Sequence, residues 1–235
     1  MIAVAVAGAA GRMGQTVCAA VECAADMELV ARVDPLLGTT LEDILMGTHP
    51  PEVVVDFTQP DTALGNARSC VRAGVHVVIG TTGFDPAPLK QARPDEGPPT
   101  NPPTQSNANV LIAPNFAIGA ILMMRFAQEA AKHMAKAEII ELHHDQKVDA
   151  PSGTAARTAE LMATATGGEP PPIHSVRLPG LVADQEVIFG DVGQTLTIRH
   201  HTIGRESFMP GVLLAIRRVG SLEQSPLVGL EHLLF

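Results

Sequence analysis

The stretch MIAVAVAGAAGRMGQ, residues 1–15, decides the fold expected for this chain. A short apolar run that ends in glycine passes into an Ala-rich segment with helical spacing, which predicts a strand, a tight turn and a helix. Gly8, Gly11 and Gly14 occupy the turn with the spacing GxxGxxG. Such glycines let the backbone turn tightly and bring the N–H groups of a helix N-terminus against a pyrophosphate. Because the spacing departs from the usual GxGxxG pattern, the turn alone is also compatible with an ordinary strand-to-helix junction.

An acidic residue at the end of the second predicted strand favours the dinucleotide interpretation. Asp34 follows the run MELVARV, 20 residues after Gly14, where a carboxylate can accept hydrogen bonds from the hydroxyls of the adenosine ribose. Asp34 should repel a ribose 2′-phosphate, whereas Arg12 in the glycine turn could attract one. We therefore expect NADH to be accepted at least as well as NADPH.

The remaining apolar runs predict two kinds of architecture. The runs PPEVVVDFTQ, VHVVIGTTG and NVLIAPNF are continuous rather than alternating, and helical segments separate several of the strands. That pattern is typical of a parallel sheet covered on both faces, so the first half is α/β. Beyond APNFAIG, two helical segments alternate with AEIIELHH and with two strands around GDVGQ, which predicts an α+β domain on an open mixed or antiparallel sheet. The closing PGVLLAIRRVGSLE predicts an amphipathic helix that packs back on the first domain.

Composition excludes several function classes. The chain has 16 Lys and Arg against 25 Asp and Glu, a formal charge of −9, and no basic run with interleaved aromatic residues, so we expect no nucleic-acid groove. No apolar stretch approaches the roughly 20 residues of a membrane span, and the N-terminus lacks the features of a signal peptide, so we expect no membrane contact and a cytoplasmic location. Cys18, Cys23 and Cys70 form no CxxC pair, which favours buried, reduced thiols over a disulfide or a zinc site.

Two further strand ends carry residues suited to a nicotinamide. In an open parallel sheet, ligands lie beyond the carboxyl ends of the strands, where this chain places GTTG (80–83) and APNF (113–116). Small and hydroxyl-bearing residues leave room for the ring and offer backbone partners to its carboxamide. Taken singly, each segment could equally be an ordinary strand-to-loop turn.

The segment IIELHHDQKVDAPSGTA, residues 139–155, carries two adjacent histidines and a lysine. At the end of a strand, His143 and His144 point to opposite faces, so one can face a cleft between the domains while the other packs or contacts a ligand from the side. The HHxxK pattern has no carboxylate or thiolate at metal-ligand spacing, so we expect no metal. On local grounds alone, the pair could also be two surface histidines near a loop.

The end of the same segment predicts an anion site. Pro151 stops the strand, and Ser152 or its neighbour begins a helix whose first N–H groups, from Gly153 and Thr154, can hold a carboxylate. Lys147 and one histidine beside that helix start would form a site for a small acidic molecule. Two cationic or proton-donating groups there suit a proton transfer coupled to hydride transfer.

Five motifs together resemble one enzyme family. VAGAAGRMG, VVVDFT, GTTGF, APNFAIG and, most specifically, ELHHDQKVDAPSGTA are similar to the 4-hydroxy-tetrahydrodipicolinate reductase (dihydrodipicolinate reductase) family. The likeness continues in order through LVADQEVIFG, LTIRH and FMPGVLLAIRRV, and so covers nearly the whole chain.

The resemblance implies a fold and a reaction. It implies an α/β, Rossmann-like parallel-sheet domain over residues 1–115, and an α+β C-terminal domain with an open mixed sheet over residues 116–210. That second domain would bind substrate and build a homotetramer, and a C-terminal helix, 211–235, would return to the first. The implied reaction is the NADH- or NADPH-dependent reduction of 4-hydroxy-tetrahydrodipicolinate, a small dicarboxylate, to tetrahydrodipicolinate with loss of water, in the diaminopimelate route to lysine.

The resemblance also implies roles for residues at matching positions. His143 and Lys147 would be the catalytic proton-transfer residues, and His144, Gly153 and Thr154 would bind substrate. The cofactor-binding residues would be Gly8, Ala9, Ala10, Gly11, Arg12, Met13, Asp34, Gly80, Thr81, Thr82, Ala113, Pro114, Asn115 and Phe116.

Two segments depart from the family pattern as we expect it. The proline-rich insert at residues 94–103 is longer and more polar, and TATGGEPPPIHSV is short where relatives often carry a longer loop, which could alter the tetramer edge. Two alternatives stay open. A semialdehyde or sugar dehydrogenase with the same two-domain plan would want a cleft cysteine or a Lys-containing EKP-like segment, and a non-enzymatic dinucleotide sensor would not need His143, Lys147 and an anion-holding helix start together.

Overall fold

The computed structural model describes residues 1–90 and 108–235, so the proline-rich insert predicted at residues 94–103 lies outside the described residues. The chain divides into two compact units. The first unit comprises Met1–Phe116 and Phe208–Phe235, and the second comprises Ala117–Ser207. The assignment of dinucleotide binding to one predicted domain and substrate binding to the other stays a prediction.

The described ranges contain ten strands and seven α-helices. The strands are β1 (Ile2–Ala7), β2 (Met27–Val33), β3 (Val53–Asp56), β4 (His76–Ile79), β5 (Val110–Ile112), β6 (Lys136–His143), β7 (Ile173–Arg177), β8 (Ala183–Asp191), β9 (Gln194–Thr202) and β10 (Leu227–Val228). The helices are α1 (Arg12–Cys23), α2 (Leu41–Leu45), α3 (Pro60–Arg72), α4 (Ala87–Lys90), α5 (Ile118–Ala130), α6 (Gly153–Thr166) and α7 (Met209–Val219). None of the helices in these ranges is long and apolar enough to cross a membrane.

The first unit is built on a parallel sheet with the strand order β10-β5-β4-β3-β1-β2. Every residue of β3 and β5 is buried, as continuous apolar runs require when helices cover both faces of a sheet. The carboxyl ends of β1, β3, β4 and β5 meet at one edge because all of these strands run in the same direction. The predicted α/β class with a Rossmann-like parallel sheet is confirmed.

The C-terminal segment differs from the single helix predicted over residues 211–235. The helix α7 ends at Val219, and after it Leu227–Val228 forms β10 beside β5, followed by a 3₁₀ turn over Leu230–Leu233. Gly220 and Pro226 explain the break, since neither residue continues a helix well. The buried face of α7 packs on α1 and β4 within the first unit.

The second unit is built on a mixed sheet with the order β7-β6-β8-β9. The strands β6 and β7 are parallel, whereas β6–β8 and β8–β9 are antiparallel. One face packs against α5 and α6 through a core that includes Ile139, Val187, Phe189, Ala155, Ala159, Met162 and Ala127. The hairpin between β8 and β9 turns at GDVGQ, where Gly193 has a φ of +74°. The predicted α+β class with an open mixed sheet is confirmed, although β7 was not predicted.

The three cysteines carry no disulfide. Cys18 and Cys70 are buried as expected, and burial raises the pKa of the Cys70 thiol to about 12. Cys23 is exposed, so the expectation that all three thiols are buried is wrong for this residue. It is the last residue of α1, where the helix reaches the surface.

Candidate active site

The glycine turn after β1 requires glycine at two positions. Gly8 has a φ of +77°, and a Cβ atom there would lie 2.5 Å from the carbonyl oxygen of Phe57. A Cβ atom on Gly14 would lie 2.0 Å from the carbonyl oxygen of Gly8. Gly11 is the N-cap residue of α1, and it offers no side chain to cap the first N–H groups of that helix. The turn therefore brings bare backbone against the carboxyl edge of the sheet, as a bound pyrophosphate would need.

Asp34 lies against this turn. One of its carboxylate oxygens accepts a hydrogen bond of 3.1 Å from the N–H of Ala10, and the other accepts one of 3.0 Å from the N–H of Leu36. Each oxygen keeps a second lone pair that a ribose hydroxyl can use. Arg12 is the exposed first residue of α1, while Ala9 is buried. The structure thus brings the predicted acidic residue to the predicted glycine turn.

A buried carboxylate at the end of β3 fixes the next loop. Asp56 has no exposed surface, and its Oδ1 accepts hydrogen bonds of 2.9 and 2.6 Å from the N–H and the hydroxyl of Thr58. The Thr81 hydroxyl lies 3.3 Å from the same oxygen, and the Asn66 amide donates to Oδ2 at 2.8 Å. Asp56 is a site residue that the sequence did not predict, although it is the acid that ends the apolar run VVVD. It holds the predicted loop 80–83 at the sheet edge.

The ring of Phe57 packs at the same edge of the sheet, and the sequence did not predict it as a site residue either. A Cβ atom on Gly80 would lie 2.2 Å from the Phe57 ring, so the ring lies directly on the glycine. The Phe57 ring also contacts that of Phe116, with centroids 5.7 Å apart. Ala113 follows β5 and donates its N–H to the carbonyl of Ile79 at 2.9 Å. Thr82 and Pro114 are exposed, Met13 and Asn115 are half-buried, and Ala113 and Phe116 are buried.

In the second unit, the strand β6 brings His143 to a buried ion pair. Residues two apart on a strand share a face, so Glu141 lies beside His143, and the Nδ1 atom of His143 is 2.5 Å from Oε2 of Glu141. Arg177, on the neighbouring β7, donates from Nη2 to Oε1 at 2.7 Å and from Nη1 to Oε2 at 2.9 Å. The side chain of Glu141 has no exposed surface, and that of His143 is 14% exposed.

The surroundings of this ion pair shift the pKa values of both Glu141 and His143. Burial alone would raise the pKa of Glu141, but hydrogen bonds from Arg177, Ser175 and His143 outweigh it and lower the pKa from 4.5 to about 2. For His143, burial lowers the pKa from its ordinary value of 6.5, and Glu141 opposes that effect. The cations of Lys147 and Arg177 lower the pKa of His143 further. At neutral pH, Glu141 is therefore ionised and His143 is neutral.

Lys147 is held near this network by Asp149. The Nζ atom of Lys147 donates to the two carboxylate oxygens of Asp149 at 2.7 and 2.9 Å, which lowers the pKa of Asp149. The carbonyl oxygen of Asp149 accepts a bond of 2.7 Å from Nη2 of Arg177. Hydrogen bonds thus connect His143, Glu141, Arg177, Asp149 and Lys147 in one chain. The side chain of the adjacent His144 is exposed.

The helix α6 begins at the same network. Ser152 is its N-cap residue: the hydroxyl accepts a bond of 3.2 Å from the N–H of Ala155, and the N–H of Ser152 donates to Oε1 of Glu141 at 3.2 Å. Gly153 and Thr154 are the first helical residues, and a Cβ atom on Gly153 would meet nothing within 4 Å beyond its own helix turn in the described part of the chain. The positive end of the helix dipole lies at these two residues, where a carboxylate is favoured.

Part of this site could be predicted from the sequence. His143, Lys147 and the α6 start were predicted, whereas Glu141 was not, although it is an acidic residue inside the otherwise apolar run IIEL. Arg177 gave no signal, because its pairing with Glu141 joins residues 36 positions apart. Among the described residues, no group of three or more His, Cys, Asp or Glu side chains could hold a metal ion.

Comparisons with known proteins agree along the chain. The family model described as dihydrodipicolinate reductase, N-terminus, matches residues 2–116, and that described as dihydrodipicolinate reductase, C-terminus, matches residues 119–234. The 4-hydroxy-tetrahydrodipicolinate reductase of Nocardia farcinica is 51% identical over 93% of each chain, and that of Mycolicibacterium smegmatis is 48% identical over 98% of each. A solved structure of dipicolinate-bound dihydrodipicolinate reductase from Paenisporosarcina sp. TG-14 is 38% identical over 99% of each chain, with a TM-score of 0.82.

Proposed function

The chain belongs to the dihydrodipicolinate reductase family and is a pyridine-nucleotide oxidoreductase, and from this premise we propose how its residues carry out the reaction. The reaction is the reduction of 4-hydroxy-tetrahydrodipicolinate to tetrahydrodipicolinate with loss of water, a step in lysine biosynthesis. One observation carries the residue assignment: His143, Lys147 and the start of α6 share a single hydrogen-bonded network centred on Glu141.

The edge of the first unit's sheet fits a dinucleotide. The backbone at Gly8 and Gly14 leaves no room for a side chain, and α1 has no side-chain cap among the described residues, so its first N–H groups suit a pyrophosphate. We assign the pyrophosphate to residues 8–13, the adenosine ribose to Asp34, and the nicotinamide to residues 80–82 and 113–116. The chemistry that the bound nicotinamide supplies is hydride donation.

The choice between NADH and NADPH rests on two opposed charges. The Asp34 carboxylate disfavours a ribose 2′-phosphate, whereas the exposed Arg12 guanidinium favours one. Asp34 already lies in hydrogen-bond contact with the glycine turn through Ala10. We therefore propose that the chain uses both cofactors, with NADH used at least as well as NADPH.

The substrate is a dicarboxylate, and the network offers it matching groups. Gly153 and Thr154 would bind one carboxylate at the start of α6, with His144 beside it. The Nζ atom of Lys147 donates to the carboxylate of Asp149 in this structure. When substrate binds, Lys147 would donate to a substrate carboxylate instead. Hydride delivery leaves a nitrogen or an enamine carbon that needs a proton, and we assign its transfer to His143 and Lys147.

We also propose that the chain forms a homotetramer through the sheet of the second unit. The face of that sheet opposite α5 and α6 carries the half-buried side chains of Ile140, Leu142 and Ile188, which alternate with the core residues. An apolar sheet face is a liability unless something covers it. Light scattering on the purified chain should give the mass of four copies, and a monomer would contradict this proposal.

A coupled assay tests the reaction. The substrate is generated in place from aspartate semialdehyde and pyruvate by a synthase, and oxidation of NADH or NADPH is followed by absorbance. We expect oxidation that requires the synthase, both of its substrates and this chain. Dinucleotide binding without any oxidation would contradict the proposed function and favour a sensor, and the ratio of the two rates gives the cofactor preference.

A further inference from the structure

Glu141 is a fully buried carboxylate that joins three elements. Its Oε1 accepts hydrogen bonds from the N–H of Ser152 at the start of α6 and from Nη2 of Arg177 on β7. Its Oε2 accepts a bond from Nη1 of Arg177 and lies 2.5 Å from Nδ1 of His143. A buried carboxylate is stable only when paired and hydrogen-bonded, and Glu141 meets both conditions. The Ser175 side chain on β7 also donates a hydrogen bond to Glu141. The contact that bears on the reaction is the one with the imidazole of His143.

That contact decides which nitrogen of His143 carries hydrogen. An ionised carboxylate only accepts hydrogen bonds, and a neutral imidazole has one N–H group and one bare nitrogen. An Nδ1 atom at 2.5 Å from a carboxylate oxygen must therefore be the N–H group. We propose that Glu141 is a positioning residue: it fixes the Nδ1–H tautomer of His143, so that Nε2 is the nitrogen that takes up and passes on the proton in the reaction. This inference rests on the proposed role of His143.

Arg177 holds the Glu141 carboxylate in place through two hydrogen bonds. Its Nη1 donates to Glu141 and to the carbonyl of Val176, and its Nη2 donates to Glu141 and to the carbonyl of Asp149. All four hydrogens on these two nitrogens are thus used within the protein, so Arg177 offers none of them to a substrate. Its charge keeps Glu141 ionised, which is the state that the tautomer requires.

Glu141→Gln changes the tautomer for a geometric reason. The glutamine carbonyl is best placed at the Oε1 position, where both Ser152 and Arg177 donate. The amide NH₂ then takes the Oε2 position, where Nη1 of Arg177 loses one acceptor, whereas the opposite orientation would cost the bonds of both Ser152 and Arg177 at Oε1. The NH₂ donates to Nδ1 of His143, which requires a bare Nδ1 and moves the hydrogen to Nε2. The side chain keeps its size, so the change acts on hydrogen bonding and charge rather than on packing.

The matched control lies on the same strand. Oε2 of Glu138 on β6 lies 2.7 Å from Nε2 of His174, but both side chains are more than half exposed. Glu138→Gln removes a carboxylate from a histidine without touching the buried network. It should leave the signals of His143 and the kinetic constants unchanged.

The experiment is ¹⁵N NMR of the full chain labelled in histidine nitrogen, recorded at a pH where His143 is neutral and assigned by comparison with His143→Ala. We expect the Nδ1–H tautomer in the wild type and in Glu138→Gln, and the Nε2–H tautomer in Glu141→Gln. An Nε2–H tautomer in the wild type would overturn the inference, and this measurement stands even if Glu141→Gln fails to fold.

Kinetics separate positioning from mere support of the fold. In the coupled assay, we expect Glu141→Gln to lower kcat by roughly 10²-fold, the low end for general acid–base groups, with substrate KM and NADH affinity nearly unchanged. Full activity in a Glu141→Gln chain whose His143 tautomer has changed would overturn the positioning role while leaving the proposed function intact. An inactive wild type with the Nδ1–H tautomer would instead contradict the proposed function and, with it, a catalytic use of Nε2.

Discussion

The backbone N–H of Ala10 donates a hydrogen bond of 3.1 Å to the carboxylate of Asp34, which joins the glycine turn to the end of β2. Asp34 therefore has a part in the shape of the turn as well as the role proposed for it in ribose recognition. Its second oxygen is bonded to the N–H of Leu36, so both oxygens are oriented before any ligand binds. Such preorganisation reduces the entropy that binding must overcome.

Asp34→Ala should shift cofactor preference from NADH toward NADPH. The change removes acceptors for the ribose hydroxyls, and a hydrogen bond to a charged group contributes about 1.5–3 kcal/mol, so we expect NADH affinity to fall roughly tenfold or more. NADPH should lose less, since the repulsion of its 2′-phosphate also disappears. Titrating both cofactors into the variant, with the exposed Asp61→Ala as the control, measures this ratio. An unchanged ratio would mean that Asp34 does not face the adenosine ribose.

Gly14→Ala should disrupt the turn, whereas a glycine in another helix should tolerate the same change. The new Cβ would lie 2.0 Å from the carbonyl oxygen of Gly8, a backbone atom that cannot move aside cheaply. We expect a loss of roughly 1–3 kcal/mol in the free energy of unfolding, as for other overpacked sites, with weaker NADH binding. Gly65→Ala in α3 should instead stabilise by about 0.5–1 kcal/mol, because the new Cβ would meet nothing within 4 Å outside its own helix among the residues that the structure describes. Denaturant titration of both variants tests the contrast, and equal effects would contradict it.

Glu141 should make stability depend on pH in acid. Its pKa in the folded chain is about 2, below its ordinary value of 4.5. Because the folded-state pKa is the lower one, its contribution is fully present above pH ~4.5 and is lost as the pH falls toward ~2. Each unit of difference is worth about 1.4 kcal/mol, so the contribution is on the order of 3 kcal/mol.

Denaturant titrations of the wild type and Glu141→Gln between neutral and acidic pH measure this contribution of Glu141 to the free energy of unfolding. The wild type should lose stability more steeply than the variant in that window. Parallel pH dependence in the two chains would show that Glu141 titrates alike in the folded and unfolded states.

Local patterns predicted most of the first unit. Continuous apolar runs predicted its parallel strands because burial on both faces leaves no polar positions, and the glycine turn with Asp34 predicted which strand ends meet. The strand Leu227–Val228 could not be predicted in this way. It has two residues, too few for any period, and it forms only because β5 offers a free edge.

In the candidate site, too, residues close together in the sequence could be predicted, whereas a partner from a distant strand could not. His143, Lys147 and the α6 start lie within one short segment, so spacing alone brought them together in the prediction. Arg177 reaches Glu141 only because β7 pairs with β6 in parallel, with His143 opposite Arg177. A partner that register supplies from a distant strand leaves no mark in the local sequence.

The most direct test of the central claim compares turnover with cofactor binding in His143→Ala and Lys147→Ala. If these residues transfer protons, each variant should lose roughly 10²-fold or more in kcat. The affinity for NADH should stay within about twofold of the wild type and of the exposed control His174→Ala, since energetic effects of separate sites are nearly additive. An equal loss of NADH binding and turnover in both variants would contradict the proposed division between a cofactor site in the first unit and proton transfer in the second.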